Sequence, residues 1–258
     1  MLKHRVMPTL LFKEVGLVKG VGYDSWRRVG AAMQAVKVYN MRQVDELVFL
    51  DIGATPNGVA PDFHQIDELA DECFMPMTVG GGVRSVEDIR NLLAVGADKV
   101  AINTAAVADP ALISRGAELF GVQCITVSID IRRQPNGMTE VMTHCGKQAT
   151  GLDAVVWAME AERRGAGEIL LGSVDRDGTM SGYDIEAIRA VTAAVGIPVI
   201  ASGGAGNYRH MAEALSKGGA DAVAAASIFH FTEMTPREAK LHIKAAGLPV
   251  AITETSAP

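Results

Sequence analysis

The chain has 258 residues, 48% of them hydrophobic and 21% charged, a balance that suits a globular protein and excludes a disordered one. Its net charge of −6, from 30 acidic against 24 basic residues, excludes a general nucleic-acid binder but leaves room for local basic pockets that hold phosphates. Cys73, Cys124 and Cys145 are odd in number and widely spaced, which predicts reduced thiols in a cytoplasmic protein, and no Cys/His spacing suggests a zinc site.

From the N-terminus, Met1-Leu-Lys-His-Arg5 enters a strand without a basic region and long apolar run, so no signal peptide is expected. No stretch approaches ~18 uninterrupted apolar residues, so no membrane span is expected either. Short apolar, β-branched runs recur at residues 5–11, 46–52, 75–79, 99–103, 124–130, 168–174, 199–202 and 222–226. Near-continuous apolar runs of this length suit buried parallel strands. Helical patterns lie between them, clearest at 62–73, 86–95, 152–164, 184–194 and 208–217, with Gly96, Gly165, Gly196 and Gly218 as stops. Eight such units predict a (β/α)8 TIM barrel, a single domain over residues 1–252 with a flexible tail at 253–258. The competing architecture is an open doubly wound sheet. Glu14 to Arg27 reads as a long glycine-containing connection, a lid or binding loop. Residues 139–150, with Val141, Thr143 and Cys145 alternating, suggest a small hairpin.

An internal repeat organises this pattern. Val79-Gly-Gly-Gly-Val-Arg-Ser85 returns as Val199-Ile-Ala-Ser-Gly-Gly-Ala-Gly206, with Gly81-Gly82 lying 122 residues before Gly203-Gly204. Glu46-Leu-Val-Phe-Leu-Asp-Ile52 aligns with Glu168-Ile-Leu-Leu-Gly-Ser-Val174 at the same offset, and Gly96-Ala-Asp98 with Gly219-Ala-Asp221 one residue later. A period near half the chain implies a duplicated half-barrel, which favours the closed ring.

In a barrel, chemistry sits at the C-terminal ends of the strands. Gly82 with Asn103 and Thr104 forms one candidate phosphate cradle, and Gly204 with Ala226 and Ser227, assisted by Asp177 and Gly178, forms its counterpart. Tight strand–helix packing also demands glycine and stands as the alternative. Two cradles would suit an elongated substrate with a phosphate at each end. The acid/base candidates are Asp51, Asp130, Asp175 and Asp177. Asp130 ends the apolar run Thr126-Val-Ser-Ile-Asp130, where partial burial would bring its pKa toward a useful value. A helix cap or an ion pair with Arg132 or Arg133 is the competing role, and Asp51 could equally orient a loop. The repeat places Leu11 at the position equivalent to Asp130, so a symmetric carboxylate pair is absent. At the opposite end, Arg5, Glu46, Lys99 and Glu168 begin strands one, two, four and six. They could form a neutral structural network or a polar gate through the barrel floor.

Taken together, 79–88, 97–106, Thr150-Gly-Leu-Asp153, Asp175-Arg-Asp-Gly-Thr179 and 200–206 resemble the cyclase subunit family of imidazole glycerol phosphate synthase, over about residues 2–250. The resemblance implies a glutaminase subunit docked on the floor that releases ammonia from glutamine. Ammonia would pass Arg5, Glu46, Lys99 and Glu168, which fall on the family's gate positions, and cross to the mouth. There it would attack a bisphosphorylated ribulosyl-aminoimidazole carboxamide nucleotide, yielding imidazole glycerol phosphate and an aminoimidazole carboxamide ribonucleotide. Lys19 matches a lysine of the family's mobile first loop. The family's catalytic pair is two aspartates; Asp130 matches one, Leu11 replaces the other, and Gly172 stands where the family usually has threonine. Losing half of an acid/base pair commonly costs on the order of 10²–10⁴ in rate. That pattern resembles diverged paralogues associated with surface-polysaccharide genes, thought to deliver ammonia to a separate sugar amidotransferase. The expectation is therefore a cytoplasmic ammonia-conducting subunit without metal or cofactor, with weak or absent cyclase activity. The alternatives are a true histidine-pathway cyclase using Asp130 with Asp177 as assistant, and a non-catalytic activator of the glutaminase. A related aminoaldose isomerase also needs a carboxylate on strand one.

Overall fold

A computed structural model describes residues 3–14, 16–42 and 44–252; the tail expected at 253–258 lies outside them. The strands are β1 (Arg5–Lys13), β2 (Gly16–Val21), β3 (Asp24–Gly30), β4 (Leu47–Asp51), β5 (Met77–Gly80), β6 (Lys99–Ile102), β7 (Ile125–Arg133), β8 (Thr139–Thr143), β9 (Gln148–Asp153), β10 (Glu168–Ser173), β11 (Val199–Ser202) and β12 (Ala222–Ala225). The helices are α1 (Ala32–Met41), α2 (Phe63–Asp71), α3 (Val86–Ala94), α4 (Thr104–Ala108), α5 (Ala111–Phe120), α6 (Ala154–Arg163), α7 (Ile185–Thr192), α8 (Tyr208–Ser216), α9 (Ser227–Phe231) and α10 (Pro236–Ala245). No described helix is long and apolar enough to cross a membrane.

Eight strands pair in parallel in the order β1-β4-β5-β6-β7-β10-β11-β12, and β12 pairs β1 to close the ring. This is a (β/α)8 TIM barrel, with a helix or helix pair following each barrel strand. Local chemistry starts the helices where the periodicity places them. Ser85 and Asp88 form a reciprocal capping box on α3, and Asp62, Asp153, Asp184 and Asn207 each cap a helix with a side-chain oxygen.

Alternation along the strands divides two cores. Outward residues of β1, such as Val6, Leu10 and Phe12, join the large layer between sheet and helices. Inward residues Met7, Val48, Leu170, Ile200, Ala222 and Ala224 form a separate apolar plug inside the barrel.

Strand register tests the internal repeat independently. Leu11 pairs with Leu50, and Asp130 pairs with Gly172. Leu50 and Gly172 are 122 positions apart, the offset of the repeat itself. Leu11 and Asp130 therefore occupy equivalent places in the two halves.

The connection expected at 14–27 forms a bulged β2–β3 hairpin. β1 runs two residues past Leu11, so that Phe12 and Lys13 pair antiparallel with Leu17 and Gly16, and β2 then pairs β3. Glycines hide this strand from a propensity argument, yet they make it possible. A Cβ on Gly20 would stand 1.8 Å from the Asp24 carbonyl oxygen, so only glycine lets β3 cross so closely. The second hairpin, β8–β9, lies where 139–150 suggested it. Both hairpins follow equivalent strands, β1 and β7, and reach over the same end of the barrel.

Candidate functional site

At the barrel floor, the four charged strand starts close into one ring. Arg5 bonds Glu46 at 2.6 Å and Glu168 at 2.7 Å, while Lys99 reaches the same two carboxylates at 3.0 and 2.8 Å. Each cation bridges both anions, and the ring is neutral. Thr78 adds a hydroxyl bond to Glu46 at 2.7 Å. Glu46 is buried, and the cations keep only about a fifth of their side-chain surface in solvent. Above the ring, the Thr9 and Thr126 hydroxyls are buried and have no hydrogen-bond partner among the described residues.

At the mouth, β7 delivers Asp130 into a cavity also lined by Leu11, Leu50, Asp51, Cys145, Gly172 and Asp177. Asp130 is partly buried. Tyr23 donates its hydroxyl to Asp130 Oδ1 at 2.8 Å, and Asn103 donates its amide to Oδ2 at 2.7 Å. Burial dominates these two bonds and pushes the carboxyl up to about 7. The competing role in an ion pair is not seen. Arg132 bonds the Gly146 carbonyl, and Arg133 pairs with Asp184.

The other carboxylates have structural duties in this conformation. Asp51 accepts the Gly53 and Ala54 N–H groups, orienting its loop, and burial raises its pKa. Asp175 accepts the Arg133 N–H and anchors the base of the β8–β9 hairpin. Asp177 is bound bidentately by the Lys19 ammonium at 2.7 and 2.6 Å. Burial still holds the Asp177 carboxyl above its ordinary range.

Several residues assigned to phosphate cradles are engaged by protein partners. Lys19, read as a loop cation for phosphate, is 1% exposed and closed onto Asp177. The Gly82 N–H donates to Thr55, and Thr104 accepts the His144 N–H from the second hairpin. Asn103 spends its amide on Asp130, while its carbonyl oxygen is buried and unpartnered. Gly178 receives the first hairpin: a Cβ there would lie 2.1 Å from the Gly20 carbonyl oxygen. Gly204, Ala226 and Ser227 line the cavity of the mouth, as do Gly82, Asn103 and Thr104 of the first half. Packing alone accounts for the paired glycines, since a Cβ would meet the Val59 carbonyl at 2.8 Å from Gly82 and the Gly182 carbonyl at 2.2 Å from Gly204.

Tyr23 was not among the residues singled out from the sequence. Its one signal was an aromatic side chain inside a glycine-rich connection that follows a barrel strand.

A closed barrel whose mouth holds a part-buried carboxylate titrating near neutrality, ringed by duplicated glycine turns, is an enzyme-type (β/α)8 barrel. The family of histidine biosynthesis proteins matches residues 5–235, and the chain belongs to that family, which includes isomerases and cyclases.

Proposed function

We infer that this chain is the synthase-type subunit of a glutamine amidotransferase, built like the cyclase subunit of imidazole glycerol phosphate synthase. It receives ammonia from a glutaminase subunit at its floor and passes it through the barrel. The acceptor is the substrate of a separate sugar amidotransferase in surface-polysaccharide synthesis. The observation that carries this reading is Leu11. Strand register makes it the counterpart of Asp130, and a leucine transfers no proton.

The remaining features support conduction. The floor ring is neutral, so it offers no net field against a neutral molecule, and each cation bridges two anions, so one cation can swing while the other still holds both carboxylates. The apolar plug disfavours a charged ammonium ion far more than neutral ammonia. The unpartnered Thr126 and Thr9 hydroxyls offer hydrogen bonds along the way.

One observation favours the alternative, a true cyclase: Asp130 titrates near 7, where a general acid/base works best. Steady-state turnover decides between the two. The purified chain is given ammonium and the bisphosphorylated ribulosyl-aminoimidazole carboxamide nucleotide. Product formation several orders of magnitude below that of a cyclase with both aspartates is expected. Turnover equal to such a cyclase would overturn the conduit reading. In the complex with its glutaminase, Lys99→Ala should reduce ammonia delivery to the acceptor; unchanged delivery would favour a subunit that merely activates the glutaminase.

A further inference from the structure

The mouth already holds an occupant. Tyr23 reaches into it from the β2–β3 hairpin, and two glycines from separate segments receive it. A Cβ on Gly172 would lie 2.6 Å from the Tyr23 hydroxyl and 2.9 Å from Asp130 Oδ1. A Cβ on Gly146, at the tip of the second hairpin, would lie 3.1 Å from the Tyr23 ring. Gly178 accepts the hairpin backbone at Gly20 in the same way. The internal repeat shows what Gly172 omits. Its counterpart is Leu50, whose side chain lines the cavity in the first half. In the second half the strand supplies no side chain, and Tyr23 takes that space.

Three further ties hold the hairpin down. Lys19 closes on Asp177, the Gly22 N–H donates to the Asp177 carbonyl at 2.9 Å, and the Arg27 guanidinium stacks 3.9 Å from the Phe231 ring centroid. A ligand spanning the two glycine turns must cross the mouth beside Asp130, where the Tyr23 hydroxyl stands. We propose that Tyr23, seated in the slot left by Gly172 and Gly146, is the specificity-determining residue of this mouth, excluding phosphorylated sugars by keeping the hairpin closed over Asp130. The proposal rests on the functional reading above only in taking a doubly phosphorylated sugar as the excluded ligand.

Two measurements on the full-length chain test it, and neither uses ammonia, a glutaminase or an acceptor, so failure here is separate from failure of that reading. The first is limited trypsin digestion at Arg27 and Arg28, whose side chains are exposed but whose backbone must leave its pairing with β2 to fit a protease site. Losing a hydrogen bond to a part-buried carboxylate raises the open population, so Tyr23→Phe should be cut about tenfold faster than the parent. Gly172→Thr, which fills the slot, should be cut at least as fast. The second is calorimetric binding of ribulose 1,5-bisphosphate, expected to be at least about tenfold tighter to Tyr23→Ala than to the parent. Equal hairpin cleavage in parent and Tyr23→Phe overturns the proposal, whether or not Gly172→Thr folds. Equal bisphosphate affinity, or no binding by either protein, overturns it as well.

Discussion

Asp130→Asn isolates the energetic consequence of burying a carboxyl at the mouth. Its pKa stands at about 7 in the folded chain, against an ordinary value of 3.8. The folded state therefore holds a proton between pH 4 and 7 that the unfolded chain releases. More protons bound in the native state means that stability falls as pH rises through this window. A difference of about three pH units corresponds to about 4 kcal/mol at about 1.36 kcal/mol per unit, an upper bound on what ionising Asp130 costs above pH 7. Asparagine keeps the shape without the charge. Its Oδ1 can accept from Tyr23 as Asp130 Oδ1 does. Its amide can donate to the Asn103 carbonyl oxygen, which has no partner, after a flip of the Asn103 amide. Urea unfolding of parent and variant from pH 4.5 to 9 reads the difference, since every other titrating group is common to both. Asp130→Asn should be close to the parent at the acidic end and pull ahead by up to about 4 kcal/mol by pH 8. Parallel stability profiles would refute the claim that Asp130 is uncharged at acidic pH and destabilising when ionised.

Three further perturbations probe the ring, the turns and the interior. Lys99→Met leaves Glu46 and Glu168 sharing Arg5 alone; in this partly hydrated ring the loss should be about 2 kcal/mol, below the range for fully buried pairs, seen as a melting temperature lower by about 4–8 °C. Gly204→Ala puts a methyl group 2.2 Å from the Gly182 carbonyl oxygen at a φ of +108°, and should lower the unfolding free energy by about 2–4 kcal/mol in urea titrations, whereas a neutral effect would mean the turn is looser than described. Thr126→Val replaces a hydroxyl with no hydrogen-bond partner among the described residues, so stability should rise by about 1 kcal/mol, while ammonia delivery in the glutaminase complex should fall if that hydroxyl is a way-station.

The parts of this protein that were legible in the sequence share one property: each is written locally or repeated. The eight barrel strands announce themselves as short β-branched runs, and the structure has a parallel strand at each of them. Helix starts follow from caps such as Ser85 with Asp88. Each charge of the floor ring stands at or beside the first residue of a strand, so spacing alone placed them on one end, although it could not say that each cation would bridge both anions. The roles of the glycines were not legible in the same way. At Gly82 and Gly204 a phosphate cradle and a backbone neighbour make the same demand on sequence, and only the positions of the Val59 and Gly182 carbonyls show that packing is sufficient.

The repeat also explains why Leu11 could be found and Tyr23 could not. An internal duplication compares positions that both halves possess, so it exposes a departure wherever two aligned strands carry different chemistry, as at Leu11 and Asp130. The two hairpins follow equivalent strands but share no aligned residues, so nothing in the first half-barrel predicts what the second must accommodate. Tyr23 meets Asp130 across 107 positions of chain, and the slot that receives it is defined by what Gly172 and Gly146 lack. A missing side chain is visible in a sequence only as another glycine. Its meaning depends on which distant residue fills the space, and that is decided by closure of the barrel, which brings β1 and its hairpin over β7 and β10.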